Sequence, residues 1–349
     1  MEKRLDQYQL NRRSFLKMSG LLGLGVASSG IIPAAAEAIK FDRNRYKVSK
    51  TKLGIGTFVA LTLLHSSKDQ AEQALDLAFA EVSRLENVLN RFDQTTALSY
   101  LNQEGKLKRL PPDLEQVIFA SLQYHKLTNG AFDITVAPIV DYFQEKYKHG
   151  QKLMPTDQEI QKLLALVGAR KIDLSGGSIS FARPGMGITL DGIAKGFIVD
   201  RVAEVLAKNK IENFLINAGG EIRTMGKADK NKPWRIAIQD PFKNKKYPDQ
   251  IELNNGALAT SGSYEVYFDR EKMFHHIVNP RTGLSPHQSI SVSVVAETTM
   301  QADALSTSVF VMEPGPGINF INTLPQCAAL VMTPQGRILK SKAWKSATV

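Results

Sequence analysis

Near the C-terminal end of this 349-residue chain, Asp303 stands four residues before Thr307 in Gln301-Ala302-Asp303-Ala304-Leu305-Ser306-Thr307-Ser308. The segment runs on into apolar Val309-Phe310-Val311-Met312, which reads as a helix. Residues four apart share one helical face, so the carboxylate and the hydroxyl point the same way. Hard cations such as Mg²⁺ take oxygen ligands in near-octahedral geometry. Two side-chain oxygens, a backbone carbonyl and phosphate oxygens of a ligand could fill such a shell. The spacing alone favours a structural reading, with Thr307 bonded back to the Asp303 carbonyl and Asp303 at a solvated helix start.

Four other stretches hold candidate chemistry. Leu190-Asp191-Gly192-Ile193-Ala194-Lys195-Gly196 opens a helix with a glycine and a lysine in its first turn. Helix N-termini present N–H groups and a positive dipole end that suit phosphate, and Lys195 would add a point charge. The GxxxxGK[ST] pattern is absent, and close helix packing explains the glycine as well. Asn217-Ala218-Gly219-Gly220 places two glycines after a strand, either to admit a ligand to the backbone or to make a tight turn. Phe274-His275-His276-Ile277-Val278-Asn279-Pro280 carries two of the six histidines at a strand end. Neighbouring strand residues face opposite ways, so one of the two could enter a site as a general base, and either could be structural. Asp133 in Thr128-Asn129-Gly130-Ala131-Phe132-Asp133, a link from helix to strand, could bond a sugar hydroxyl or a base edge, or could cap a turn. HExxH, GxSxG and GxGxxG patterns are all absent.

The elements that must position these groups are read from periodicity. Thr51 to His65 alternates as a strand. A helix runs from Asp69 to about Leu89, with Leu75, Phe79, Val82, Leu85 and Leu89 at helical spacing. Pro111-Pro112-Asp113 opens a second helix that ends at Asn129-Gly130, and Asp157 to Val167 forms a third, closed by Gly168. Lys171 to Phe181 is a hairpin turning at Gly176-Gly177, and a helix follows from Gly192 to about Ala207. Beyond it the chain is strand-rich, with the Asp303 helix between its last two strands. Helices and antiparallel hairpins in blocks argue for an α+β fold.

Composition narrows the class. The chain is 43% hydrophobic and 22% charged, with net charge +10, of which +3 falls in residues 1–36. This is a soluble globular composition with a mildly basic balance, spread along the chain, that reads first as a solvated lysine-rich surface and could also favour anionic ligands. No nucleic-acid-binding signature is present, so no nucleic acid partner is expected. Cys327 is the sole cysteine and forms neither an intrachain disulfide nor a thiolate cluster. At the N-terminus, Arg12-Arg13-Ser14-Phe15-Leu16-Lys17 precedes a short apolar run and Ala34-Ala35-Ala36. That is the layout of a twin-arginine export signal, too short to span a membrane. Residues 1–36 are therefore expected to be a signal peptide, cleaved near Ala36 or Ala38. Residues 37–49 are expected to be a linker and 50–345 the functional domain, placed in the periplasm or cell envelope after export.

Taken in order, "GIGTF", "LNRFDQTTALSYLN", "TNGAFDITVAP", "LDGIAKGFIVD", "INAGGEI", "ATSGSYE", "HHIVNPRTG" and "ADALSTS" resemble the ApbE family, the FAD:protein FMN transferases, over roughly residues 50–335. The resemblance implies an ApbE-like, T-fold-related α+β fold with helices packed on antiparallel sheets and a cleft for FAD. It implies Mg²⁺-dependent transfer of the FMN moiety of FAD to a Thr or Ser hydroxyl, releasing AMP. The acceptor would be a flavoprotein subunit of a membrane redox complex, and the twin-arginine machinery would be a second partner. By the same resemblance, Asp303, Thr307 and the Gly192 carbonyl match metal ligands. Ile55, Phe92, Ala131, Phe132, Asp133, Thr189, Lys195 and Ile277 match FAD contacts, and His276 matches the candidate base. The chain departs from the family pattern at Ile55, where Met is usual, and at Thr189-Leu190-Asp191-Gly192, where the usual acid is displaced by two residues. An FAD pyrophosphatase and an exported, non-catalytic FAD-binding protein are the alternatives.

Overall fold

The alternating segments pair into one large sheet. In the computed structural model, residues 37–347 are described apart from 43, 148–153, 230, 243, 245–246, 265–267 and 269–273. The expected signal peptide at 1–36 lies outside the described residues. Among the described residues nine strands run in the order β1 (Glu37–Lys40), β2 (Tyr46–Gly54), β3 (Thr57–His65), β7 (Asn213–Ala218), β8 (Glu221–Met225), β11 (Gly256–Gly262), β12 (Ser291–Ala296), β13 (Ala328–Met332) and β14 (Ile338–Lys340). Every neighbouring pair is antiparallel. A small sheet holds β4 (Lys106–Leu107), β5 (Ile172–Ser175) and β6 (Ser178–Phe181), and another holds β9 (Trp234–Ala237) and β10 (Gln250–Leu253). The helices are α1 (Lys68–Leu89), α2 (Ala97–Glu104), α3 (Pro112–Leu127), α4 (Ala137–Tyr147), α5 (Asp157–Leu164), α6 (Ala194–Lys208), α7 (Thr299–Val311) and α8 (Pro314–Ile321).

Apolar faces decide the layers. Strand β7 buries Phe214, Ile216 and Ala218, alternate residues of one face. These meet Leu75, Phe79 and Val82 of α1 and Phe197 and Ile198 of α6 in one core. A second core packs Leu305 and Val309 of α7 against Ala257, Val292, Val294 and Ala329 of the sheet. On the opposite face Ile222, Leu258 and Leu330 meet Ile236 and Ile251 of the small sheet and Trp344. All five residues of β13 are buried because both of its faces are covered.

Several expectations change. Thr51 to His65 is two strands, not one, turned at Ile55 (φ 49°) and Gly56 (φ 72°). Two successive left-handed residues suit a two-residue hairpin turn, and a β-branched side chain there is strained. Residues 37–49, expected as a linker, instead supply β1 and the start of β2. The third expected helix stops at Leu164, short of Val167. The chain after Asp133 enters a 3₁₀ turn, Ile134–Val136, and α4 rather than a strand. His275 to Pro280 belongs to no strand of the sheets. Helices α2, α4 and α8 were not foreseen.

Helices α6 and α7 are joined at their starts. The Asp303 Oδ2 of α7 accepts the Gly196 N–H of α6 at 3.0 Å. In return Asp200 of α6 accepts the N–H groups of Thr299 and Met300, the first two residues of α7, at 2.9 and 2.8 Å. Each helix thus satisfies orphan donors of the other. Burial raises the Asp200 carboxyl above its ordinary value, against those two N–H bonds. The contact requires glycine, since a Cβ on Gly196 would lie 2.5 Å from the Thr299 carbonyl oxygen and 2.7 Å from the Met300 Cα. We expect Gly196→Ala to destabilise the protein by about 1–3 kcal/mol through overpacking. Urea denaturation would show it as a lowered midpoint, and an unchanged midpoint would contradict the packing described.

Candidate functional site

The N-terminal approach to α6, helix α7, strand β11 and two irregular segments converge on one cleft. Its space is about 680 Å³, part of it open to solvent. Its walls include Ala131, Phe132, Asp133, Thr189, Gly192, Lys195, His276, Ile277, Asp303 and Thr307, so ten of the twelve residues expected from sequence come together. The other two do not line it. Ile55 sits half-buried in the β2–β3 turn, its N–H on the Glu86 carboxylate at 3.1 Å. Phe92 is 64% exposed, under the Arg91 guanidinium at 4.5 Å.

Asp303 is 3% exposed, not at a solvated helix start. Its Oδ2 is braced by Gly196, as above. Nor does the Thr307 hydroxyl turn back onto the Asp303 carbonyl; it meets Ser261 Oγ at 3.2 Å, while Ser306 Oγ donates to that carbonyl at 3.0 Å. Both structural alternatives for the pair are therefore set aside. Gly192 touches Thr307, because a Cβ there would lie 2.8 Å from Thr307 Oγ1. One carboxylate, one hydroxyl and a close-lying backbone segment make an all-oxygen donor set suited to a hard cation. Among the described residues there is no cluster of three or more His, Cys, Asp or Glu side chains that could hold a metal. A cation here would need further oxygens from its ligand.

The expected phosphate-binding helix start is altered. The N–H groups of Ile193 and Ala194 bond the Leu190 carbonyl at 3.0 and 2.8 Å, and that of Gly196 goes to Asp303. Three N–H groups of this helix start are thus already engaged, and the Lys195 ammonium is the positive charge that lines the cleft there. That ammonium bonds Glu221 Oε1 at 2.7 Å. Glu221, at the start of β8, is 2% exposed and lines the same cleft. Burial pushes its carboxyl up, and Lys195 opposes the shift. Glu221 and Ser261 were missed by sequence reasoning. Their contacts with Lys195 and Thr307 cross 26 and 46 residues, which no local spacing reveals.

Asp133 proves a structural anchor. Its carboxylate accepts from the N–H and hydroxyl of Thr135 and from the Ala169 N–H, and it pairs at 3.2 Å with His125 Nδ1, a nitrogen it shares with the Phe132 carbonyl at 3.0 Å. Burial would raise its pKa, but the bonds from His125 and Thr135 outweigh that and hold it below the ordinary value. This pins the turn that presents Ala131 and Phe132. Thr189 is buried, and its hydroxyl oxygen accepts the Asp191 N–H at 3.3 Å. The displaced acid, Asp191, stands at the cleft edge 3.7 Å from Arg91 Nε.

The two histidines divide as expected, though from an irregular segment. His275 is fully buried; its Nδ1 accepts the Ile277 N–H at 3.3 Å and its Nε2 meets the Pro286 carbonyl at 3.0 Å. A nitrogen receiving an N–H carries no proton, and a carbonyl only accepts, so His275 is neutral with its proton on Nε2. It fixes the backbone that places His276 and Ile277 in the cleft wall.

The ApbE family model matches residues 55–331. A protein of Haemophilus influenzae named FAD:protein FMN transferase is 35% identical over 235 residues, covering 64% of this chain and 68% of that protein. The flavin transferase ApbE of Vibrio cholerae superposes with TM-score 0.74 at 25% identity, covering 88% of this chain and 98% of that one. The ApbE protein of Thermotoga maritima gives TM-score 0.77 at 27% identity, covering 85% and 97%.

The His125–Asp133 pair carries a pH signature. The bond to Asp133 raises the His125 pKa, against burial. A raised histidine stabilises fully below its unfolded value, about 6.5, and that part is lost as pH rises through the folded value. The lowered Asp133 contributes above its unfolded value and loses this as pH falls through the folded one. We expect wild-type stability to fall more steeply than that of His125→Gln between about pH 6 and pH 8. Urea midpoints across that range would show the two curves converging as pH rises; parallel curves would contradict the pairing.

Proposed function

The chain belongs to the ApbE family, and on that footing we propose that it moves the FMN moiety of FAD onto a Thr or Ser hydroxyl of a target flavoprotein. The observation that carries this is one cleft wall bringing together Asp303, Thr307, Gly192, Lys195 and His276. The acceptor oxygen bonds to the FMN phosphorus. The phosphoanhydride P–O bond breaks, and AMP leaves with the electron pair. Such transfers rest on positioning and charge neutralisation more than on covalent work by the protein.

Asp303, Thr307 and the Gly192 backbone would hold Mg²⁺, which supplies charge neutralisation at the phosphates when bound. Lys195, oriented by Glu221, places an ammonium beside the same anion. His276 takes the proton of the incoming hydroxyl. Ala131, Phe132, Ile277 and Val278 give the cleft its apolar wall for the flavin. The Arg12-Arg13 leader and Ala34-Ala35-Ala36 support export to the cell envelope, where the acceptor would be a flavoprotein subunit of a membrane redox complex.

Incubation with FAD and Mg²⁺, with and without an exported flavoprotein domain, tests this. Flavin fluorescence on the acceptor band of a denaturing gel is the expected result. Free FMN without acceptor would instead show a pyrophosphatase, and intact FAD a binding protein. His276→Ala should slow transfer by roughly 10²–10⁴-fold while retaining FAD; unchanged turnover would remove the base assignment. Asp303→Asn should lose cation uptake and transfer together.

A further inference from the structure

Three buried or half-buried hydroxyls beside the proposed cation ligands form a chain whose proton direction can be counted. Ser306 Oγ donates to the Asp303 backbone carbonyl at 3.0 Å, and a carbonyl has no proton to return. Ser306 and Ser261 lie Oγ to Oγ at 2.8 Å. A hydroxyl carries one proton. With the Ser306 proton committed, Ser261 must be the donor in that contact. Ser261 Oγ also lies 3.2 Å from Thr307 Oγ1. With the Ser261 proton committed too, Thr307 donates. The chain runs from Thr307 to Ser261 to Ser306 to the Asp303 carbonyl.

We propose that Ser261 is a positioning residue for the cation site: it draws the Thr307 proton away and so turns the Thr307 oxygen lone pairs toward the ion. A hydroxyl ligates a hard cation through a lone pair, so a proton pointing into the site would oppose binding. Ser261 sits on β11, next to Gly262 in the sheet, and lines the cleft itself. The strand therefore sets the donor orientation of a residue on α7. The inference rests on the reading of Asp303 and Thr307 as cation ligands. It adds that a residue touching no ion governs the affinity.

The test is Mn²⁺ binding to the FAD-loaded full chain, followed by electron paramagnetic resonance, beside FAD affinity in a chelator. Ser261→Ala should weaken Mn²⁺ by about tenfold, the loss of roughly one hydrogen bond's worth of orientation, and by clearly more than it weakens FAD in chelator. Ser261→Thr, which keeps the hydroxyl, should restore binding. Ser306→Ala should also weaken Mn²⁺, because the Ser261 proton then turns back onto Thr307. In a Thr307→Ala background, Ser261→Ala should add nothing. The proposal is overturned if Ser261→Ala binds Mn²⁺ like the wild type, if Ser306→Ala does so, or if the Ser261 effect persists without Thr307. If the wild type takes up no Mn²⁺, or Thr307→Ala leaves uptake unchanged, the ligand reading itself fails, a different pattern from any of these.

Discussion

The bond from the Gly196 N–H to Asp303 is the constraint on which the site depends. A buried carboxylate is costly unless its oxygens are met by donors. Here the donor is a backbone amide at a helix start, where the dipole also favours negative charge. The reciprocal contact from Asp200 to the first turn of α7 closes a ring between the two helices. Charge-assisted bonds of this kind contribute about 1.5–3 kcal/mol each. Their greater effect is geometric: Gly192, Lys195, Asp303 and Thr307 come from segments more than 100 residues apart, yet they share one rigid junction. Asp303 is brace and proposed ligand at once, so its backbone partner on α6 is as much a part of the site as its own side chain.

The remaining walls are held by the same device, buried polar groups whose bonds are completed by backbone. His275 ties down the segment ahead of His276 with two backbone contacts. Asp133 gathers Thr135, Ala169 and His125 and holds the turn that carries Phe132. In each case one residue is spent as an internal anchor so that its neighbour can face the ligand. Satisfied networks of this sort specify a single geometry, which a cleft between irregular segments could not obtain from apolar packing alone.

What could be read from sequence followed the range of the interaction. Helix α1 and the hairpin at Gly176-Gly177 were legible because periodicity and turn chemistry are local. The Asp303/Thr307 pair was visible for the same reason, although spacing could not separate cation ligands from a back-bonded threonine. The order of the motifs, not any one of them, pointed to the fold. The β2–β3 turn was hidden because Ile55 is not a residue that turn chemistry anticipates at φ 49°. Residues 37–49 read as a linker because Lys47 and Ser49 give a polar edge, and only the pairing of β1 with β2 and of β2 with β3 shows the strands they supply. His275 looked like a strand residue because Phe274, Ile277 and Val278 lie close to it in sequence, whereas its place is set by bonds to Ser285 and Pro286 and by ring contacts with His287 and Phe310. Glu221, Ser261 and Ser306 fell within motifs of the resemblance, but their roles could not be read there because their partners are reached only through the tertiary fold.

The sheet order has a consequence for how the protein comes into being. Strand β3 pairs with β7, and the nearly 150 residues between them hold the cleft-lining turn at Ala131-Phe132 and the approach to α6. Such distant pairings are closed late and slowly. Helix α7, inserted between β12 and β13, comes later still. During vectorial synthesis a nascent chain would therefore hold Phe132 and Lys195 long before Asp303 was made. On the proposed reading, a chain ending before Thr299 would hold the lysine and lack both side-chain ligands, so the site is closed only when α7 docks.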